Sequence, residues 1–228
     1  MNRPCNNASA NNTRKQHPGN NSIIGVTGVI LAGGTSSRMG RNKALLKIEE
    51  LTLIERVFTT MTTLFPEVII VTNTPDSYTF LSCRMVADIY PATGSIAGLH
   101  AGLRASSTER IFVAACDMPF LNSTLIRFIC KSAEGFDAVV PLNCSGLREP
   151  LHALYARSAL DIMQQAIEQG DKSIVNLLDR LRTRYVTHDQ FRSIPGAEES
   201  FRNVNTREEF AEVTKLVQNA QPACDFAD

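Results

Sequence analysis

Val26-Thr-Gly-Val-Ile-Leu-Ala-Gly-Gly-Thr-Ser-Ser-Arg-Met-Gly-Arg-Asn-Lys43 is the stretch that decides the fold of this chain. It begins as an apolar run, rich in β-branched residues, with the length of a buried strand. The run breaks at Gly33-Gly34 into a small-polar loop that carries Arg38, Arg41 and Lys43. A strand that leads into a glycine-rich loop lets backbone N–H groups approach a phosphate, and nearby cations neutralise its charge. The stretch therefore predicts an α/β sheet with a nucleoside triphosphate site at its edge.

Two common phosphate-binding signatures do not fit this loop. A P-loop has four residues between its glycines and continues as Gly-Lys-Ser/Thr, whereas Gly34 and Gly40 are separated by five residues and Lys43 is followed by Ala44. The loop does not match the dinucleotide fingerprint Gly-x-Gly-x-x-Gly either. P-loop NTPases and NAD-dependent dehydrogenases are therefore disfavoured. A plain glycine turn is disfavoured too, because such a turn has no need of three cations within six residues.

Composition narrows the class of protein further. The 228 residues are 43% hydrophobic, which suits one α/β domain, and 23 basic residues balance 23 acidic ones. That balance offers no general attraction to nucleic acid or to an anionic membrane, and no apolar run reaches the roughly 20 residues of a membrane span. The six cysteines never form Cys-x-x-Cys, so reduced thiols in a cytoplasmic protein are expected. We expect a disordered, asparagine-rich extension at 1–22, a single domain at 23–217 and a loose tail at 218–228.

Strand-like and helix-like segments alternate along the domain. The first half predicts strands at 67–72, 84–88 and 110–117, with helices between them, which is typical of a mostly parallel sheet in a three-layer α/β/α, Rossmann-like fold. The second half predicts strands at 137–141 and 149–155, the latter running antiparallel at one edge of the sheet. Helices are predicted at about 157–169, 173–181 and 206–217, with Thr206 and Glu209 forming a capping box for the last.

Polar residues follow the predicted strands at the edge where ligands bind such sheets. Asp117 is expected to hold Mg²⁺, which prefers one or two carboxylates together with phosphate oxygens. Asp88 is predicted to contact the base or ribose or to join the metal site, and Asn73 to contact the base or ribose. An ordinary turn role is the alternative for both.

Two further groups of residues have simpler interpretations. Gly94, Gly98 and Gly102 allow either a close ligand or close packing of a helix on the sheet, and packing is favoured. His100 and His152 lie among apolar residues and have no partner at metal-ligand spacing, so buried structural histidines are expected.

The stretch from Leu31 to Leu46 resembles the signature of the molybdenum cofactor guanylyltransferases, within the molybdopterin nucleotidyltransferase family. Further matches to that family occur in order along the chain: Gly94-Ser-Ile-Ala-Gly-Leu-His-Ala-Gly-Leu103, Cys116-Asp-Met-Pro-Phe-Leu121, Glu149-Pro-Leu-His-Ala-Leu-Tyr155 and Asn203-Val-Asn-Thr-Arg-Glu-Glu209. Together they span residues 28 to about 210. The chain departs from the family at Val71, where an asparagine is usual, so Asn73 is only a nearby substitute.

The resemblance implies an activity and a set of partners. The protein would transfer GMP from GTP to the phosphate of molybdenum-molybdopterin, forming molybdopterin guanine dinucleotide and releasing pyrophosphate, with Mg²⁺ as cofactor. It would act in the cytoplasm, with delivery proteins for molybdoenzymes as further partners. Lys43 and Asp117 would be catalytic with help from Arg38, and Asp117 would bind the metal. The nucleotide-binding set would be Leu31, Ala32, Gly33, Gly34, Lys43, Asn73, Asp88 and Asp117.

Three alternatives stay open at this point. The first is a cytidylyltransferase that acts on molybdopterin, and the second is a sugar-phosphate nucleotidyltransferase. Both keep the chemistry and change a substrate, although the ending at 203–209 favours the guanylyl version over the sugar enzymes. The third is a non-catalytic nucleotide-binding adaptor, since a fold does not establish activity. The presence of both Lys43 and Asp117 argues against it, because a pure binder needs no metal carboxylate.

Overall fold

The structure is a computed structural model that describes residues 22–33 and 42–220. Its main strands are β1 (Val26–Leu31), β4 (Val68–Val71), β5 (Arg84–Val86), β6 (Arg110–Ala115), β7 (Ala138–Pro141), β8 (His152–Ala156) and β9 (Thr183–Val186). They form one seven-stranded sheet in the order β5-β4-β1-β6-β8-β7-β9. Two short strands, β2 (Lys47–Ile48) and β3 (Leu51–Thr52), make a separate antiparallel hairpin.

Helices cover both faces of the sheet, as predicted for a three-layer fold. They are α1 (Leu53–Leu64), α2 (Ser95–Ala105), α3 (Ser123–Lys131), α4 (Leu160–Glu168), α5 (Ile174–Leu178), α6 (His188–Phe191) and α7 (Arg207–Ala220). Because successive strand side chains point to opposite faces, Ile30 packs with α1 and α3 while its neighbour Val29 packs with α2 and α4. The side chain of Asn122 accepts hydrogen bonds from two backbone N–H groups and caps α3.

The antiparallel strand is present, but its position differs from the prediction. Strand β8 lies inside the sheet and pairs antiparallel with both β6 and β7, so it is not an edge strand. The edge on that side is β9, which pairs in parallel with β7 and was not predicted. Its first three residues are only half-buried, so the segment lacks the apolar run by which a buried strand is recognised.

Two predicted helices end at different residues in the structure. The helix predicted at 173–181 ends at Leu178, and the helix predicted to end at 217 continues to Ala220. Of the extension predicted at 1–22, residues 1–21 lie outside the described residues, and so do residues 221–228 of the tail predicted at 218–228. None of the described helices combines the length and the apolarity that crossing a bilayer requires.

The carboxyl ends of four strands lie side by side along one end of the sheet, called the sheet edge, which is distinct from the lateral edge strands. Strand β1 pairs in parallel with β4 and with β6, and β4 pairs in parallel with β5, so all four carboxyl ends face the same way. Two backbone hydrogen bonds join the strands at this edge: the N–H of Ala32 donates to the carbonyl of Val71, and that of Cys116 to the carbonyl of Leu31. The sheet therefore fixes the backbone positions from which the residues after these strands continue.

Candidate active site

Asp88 and Asn73 form the part of the site beyond β4 and β5. Asn73 Nδ2 donates to Asp88 Oδ2 at 3.0 Å, and the backbone N–H of Asp88 donates to Asn73 Oδ1, also at 3.0 Å. Each residue thus fixes the orientation of the other. A Cβ built on Gly33 would lie 3.9 Å from Asp88 Oδ2, and one on Gly98 would lie 3.5 Å from Oδ1. The carboxylate is therefore held between the end of β1 and the start of α2, where a nucleotide could reach it.

Lys43 occupies the far end of the glycine loop, and local contacts set its position. Asn42 caps the short 3₁₀ turn that begins at Lys43, because its Oδ1 accepts from the N–H of Ala44 at 3.1 Å. The Nδ2 of Asn42 donates to the hydroxyl of Tyr78 at 2.8 Å, and Tyr78 is buried. The Lys43 ammonium in turn donates to Asn205 Oδ1 at 3.3 Å. Gly34, Arg38 and Arg41, the other predicted members of the loop, lie outside the described residues.

Asp117 follows β6 at the same edge of the sheet. Burial raises the pKa of its carboxyl, while its own backbone N–H and the positive charge of Lys43 act to lower it. The carboxylate of Glu209 adds a smaller effect that raises the pKa. The backbone N–H of Val204 donates to the Asp117 carbonyl oxygen at 3.0 Å, which ties the segment before α7 to the end of β6. The charge of Lys43 therefore acts on the Asp117 carboxyl group across this edge of the sheet.

The donor set at this edge fits magnesium. In residues 22–33 and 42–220, no group of three or more His, Cys, Asp or Glu side chains could hold a metal ion. Asp117 offers one carboxylate at this edge that a metal could use. Magnesium binds in this way when substrate phosphates and water supply its remaining oxygens. A cation at Asp117 would also offset the cost of burying its negative charge.

The two histidines are structural, as the sequence indicated. His152 is fully buried, its ring contacting the rings of Phe112 and Phe201 edge-on at centroid distances of 5.2 Å. Burial lowers the pKa of His152 to about 3, so the ring is neutral at physiological pH. His100 is 1% exposed, and burial followed by the charge of Arg104 lowers its pKa as well. Because both rings are enclosed, neither can reach a substrate at the sheet edge to act as a general base.

Cys116, next to Asp117, is not a nucleophile. Burial raises the pKa of the Cys116 thiol to about 12, and the negative charge of Asp117 contributes in the same direction. The thiolate is the reactive form of cysteine, and almost none of it exists at pH 7.

Arg148 is engaged within the second half of the domain. It forms an ion pair with Asp179 at 2.9 Å, donates to the carbonyl of Val175 at 3.2 Å and lies over the ring of Tyr185 at 5.0 Å. These contacts stabilise the junction of α5 and β9.

Asn205 and Glu209 were not among the predicted site residues. The sequence signal for them was the stretch 203–209, which was noted for its resemblance and for its capping box. Asn205 lies 162 positions from Lys43 in the chain, so only the folded structure reveals the contact between them.

Comparison with known proteins identifies the family of this chain. Residues 28–185 match the family model described as MobA-like NTP transferase domain. A molybdenum cofactor guanylyltransferase from Desulfosudis oleivorans is 36% identical over 195 residues, covering 85% of this chain and 96% of that protein. Another from Syntrophotalea carbinolica is 33% identical over 183 residues, covering 80% and 87%. The crystal structure of molybdopterin-guanine dinucleotide biosynthesis protein A from Archaeoglobus fulgidus has a TM-score of 0.76 at 29% identity, covering 85% of this chain and 99% of that one.

These matches confirm the resemblance seen in the sequence motifs. The model match runs from β1 through β9, so it includes the sheet edge where Asp88 and Asp117 lie. The chain therefore belongs to the molybdenum cofactor guanylyltransferase family, with a MobA-like NTP transferase domain, and is a nucleotidyltransferase.

Proposed function

We propose that this protein transfers GMP from GTP to the terminal phosphate of molybdenum-molybdopterin, forming molybdopterin guanine dinucleotide and pyrophosphate. The observation that carries the proposal is that the adjacent residues 204 and 205 contact Asp117 and Lys43 respectively, at the edge formed by the ends of β1 and β6. The side chain of Lys43 is a cation suited to phosphates, and that of Asp117 is a carboxylate suited to Mg²⁺. The names of the relatives supply the choice of guanine and of the molybdenum cofactor.

The nucleotide is proposed to lie along the ends of β1 and β5. The main chain of Leu31, Ala32 and Gly33 would contact it closely, because glycine offers no side chain to hold it away. Asp88, oriented by Asn73, would accept hydrogen bonds from the base or ribose. Both residues reach solvent at the sheet edge, so they are accessible to a ligand.

The reaction needs charge neutralisation more than it needs a base. A phosphate monoester is largely ionised at pH 7, so the molybdopterin phosphate can attack the α-phosphorus of GTP directly. A bond forms between a phosphate oxygen and the α-phosphorus, the bond to the bridging oxygen breaks, and pyrophosphate leaves. Lys43 neutralises charge on the leaving group, and Asp117 would hold Mg²⁺, which would supply further positive charge to the phosphates. The enclosure of His100 and His152, which keeps both rings away from a bound substrate, is consistent with this scheme.

Pyrophosphate release tests the proposal. The protein is incubated with GTP, CTP, ATP or UTP, each with and without Mg²⁺ and molybdopterin. We expect release to require all three components and to be fastest with GTP. Faster release with CTP would show that the protein transfers a cytidylyl group instead. In parallel reactions with a sugar phosphate in place of molybdopterin, release would show that the acceptor is a sugar phosphate. No release under any condition would favour the non-catalytic alternative.

Matched variants connect the assay to the site. Lys43→Ala and Asp117→Asn should each lower kcat/KM by about 10²- to 10³-fold, as the loss of one preorganised charge at a reacting centre does. Lys47→Ala and Asp161→Asn change the same residue types at exposed positions and should retain activity. If Asp117→Asn kept full turnover, Asp117 would not hold the metal in this reaction. If Lys43→Ala kept wild-type activity, the glycine loop would not supply a cation to the phosphates through Lys43.

A further inference from the structure

We infer that Glu209 is a positioning residue for the reaction, because it fixes Asn205 so that the Asn205 amide holds the Lys43 ammonium at the triphosphate site. This inference rests on the proposed function, in which Lys43 binds the triphosphate. It adds α7, near the end of the chain, to a site otherwise built from the first half of the domain.

Glu209 orders the backbone that enters α7. Its Oε2 accepts from the N–H of Asn205 at 2.5 Å and from the N–H of Thr206 at 3.0 Å, while Thr206 Oγ1 accepts from the N–H of Glu209 at 3.1 Å. The capping box predicted from the sequence accounts for the pair formed with Thr206. The additional bond to Asn205 extends the ordering by one peptide group, to the residue that contacts Lys43.

The segment that Glu209 orders bridges the two predicted catalytic groups. On one side, the N–H of Val204 donates to the Asp117 carbonyl at 3.0 Å. On the other side, Asn205 Oδ1 accepts from Lys43 Nζ at 3.3 Å. Val204 is fully buried and packs with Val213 of α7 and Ile48 of β2. The segment is thus anchored to α7 and to the hairpin that follows Lys43.

Preorganisation is the physical benefit of this arrangement. A lysine side chain has four rotatable bonds and loses much rotamer freedom when it is held in one place. A backbone-fixed amide oxygen limits that freedom before the substrate binds, so less must be lost when the triphosphate arrives. An asparagine on a loose loop could not do this, because its own position would vary.

Three variants separate positioning from charge and from general helix stability. Glu209→Ala removes the acceptor and should lower kcat/KM for GTP about tenfold. Glu209→Gln keeps an oxygen that can accept from both N–H groups and should retain at least half of the wild-type value. Glu212→Ala is the matched control, because it removes a carboxylate contact on the same helix, to Arg202 at 2.8 Å, and should leave the kinetics unchanged.

A double-mutant cycle gives the readout that a purely structural role would not move. In a Lys43→Ala background, Glu209→Ala should cause less than a twofold further loss, because the group it positions is already gone. Equal losses in both backgrounds would overturn the inference, as would a Glu209→Gln variant that falls as far as Glu209→Ala. Wild-type kinetics in Glu209→Ala would overturn it as well.

Lysine labelling tests the same contact without any nucleotide. The rate at which an amine-reactive ester modifies Lys43 is measured by mass spectrometry, with exposed Lys47 as the internal reference. The ratio of Lys43 to Lys47 labelling should rise at least twofold in Glu209→Ala and stay unchanged in Glu212→Ala; an unchanged ratio in Glu209→Ala overturns the inference. If the wild type prefers another triphosphate, the proposed function fails, while labelling and a cycle measured with that triphosphate still decide the role of Glu209.

Discussion

Replacing the two glycines in the middle of α2 with alanine should affect the protein in opposite ways. A Cβ built on Gly102 would lie 2.6 Å from Val29 Cγ1 and 3.3 Å from both Val29 Cγ2 and Val71 Cγ2. On Gly98 the nearest atoms would be Leu31 Cδ2 at 3.4 Å and Asp88 Oδ1 at 3.5 Å. The first site has no room for a methyl group, and the second has ordinary van der Waals contacts.

The expected magnitudes follow from these distances. Val29 is fully buried in the central strand β1, which is hydrogen-bonded to a neighbour on each side, so it cannot retreat from α2. Overpacking of this kind lowers stability by about 1–3 kcal/mol, and we expect the upper end of that range because the contact is so short. Alanine favours the helix over glycine by about 1 kcal/mol, which offsets part of this loss. Gly102→Ala should therefore lower the free energy of unfolding by about 2 kcal/mol, whereas Gly98→Ala should leave it unchanged or raise it by up to about 1 kcal/mol.

Urea unfolding followed by circular dichroism measures both values. For a domain of this size, a loss of about 2 kcal/mol corresponds to a fall in Tm of about 4–8 °C. Gly98→Ala serves as the matched control, since it makes the same substitution one helical turn away. A Gly102→Ala protein as stable as the wild type would show that α2 does not pack against β1 as closely as described.

Three further predictions concern the site and its surroundings. Asn73→Ala removes both hydrogen bonds that orient Asp88 and should weaken GTP binding about 5- to 10-fold, as measured by calorimetry. An unchanged affinity would contradict a role of the Asn73–Asp88 pair in nucleotide binding. Hydrogen bonds from Arg182 hold the pKa of buried Asp137 well below its usual value. Asp137→Asn should therefore lower the free energy of unfolding by about 2 kcal/mol at pH 7, and this loss should shrink as the pH falls below about 4. A loss that does not change with pH would refute this prediction. The pKa of His152 is lowered to about 3, so near pH 5 the unfolded chain binds a proton at this residue and the folded protein does not. Between pH 7 and pH 5, the free energy of unfolding of the wild type should therefore fall by about 2 kcal/mol more than that of His152→Phe. Equal losses in the two proteins would show that His152 does not titrate on unfolding.

Local patterns were enough to predict most of the individual elements. Strands β4, β5, β6 and β7 and helices α4 and α7 lie close to their predicted positions, because each is marked by an apolar run or a helical stripe of its own. The polar residues at the strand ends were found for the same reason, since a parallel sheet always brings carboxyl ends to one edge. What the pattern could not assign is the partner of each side chain, such as the mutual hydrogen bonds of Asn73 and Asp88.

The sequence by itself determined the class of this protein: a glycine loop after a buried strand, acids after later strands and a set of family motifs in order. Each of these is a local signal, and together they specify an α/β nucleotidyltransferase. Only the tertiary structure decided that β8 lies inside the sheet, that Gly102 packs on the sheet while Gly98 lies beside Asp88, and that Asn205 meets Lys43. The physical reason is that these facts depend on distances between residues far apart in the chain, and such distances are set by packing of the whole core rather than by the local pattern.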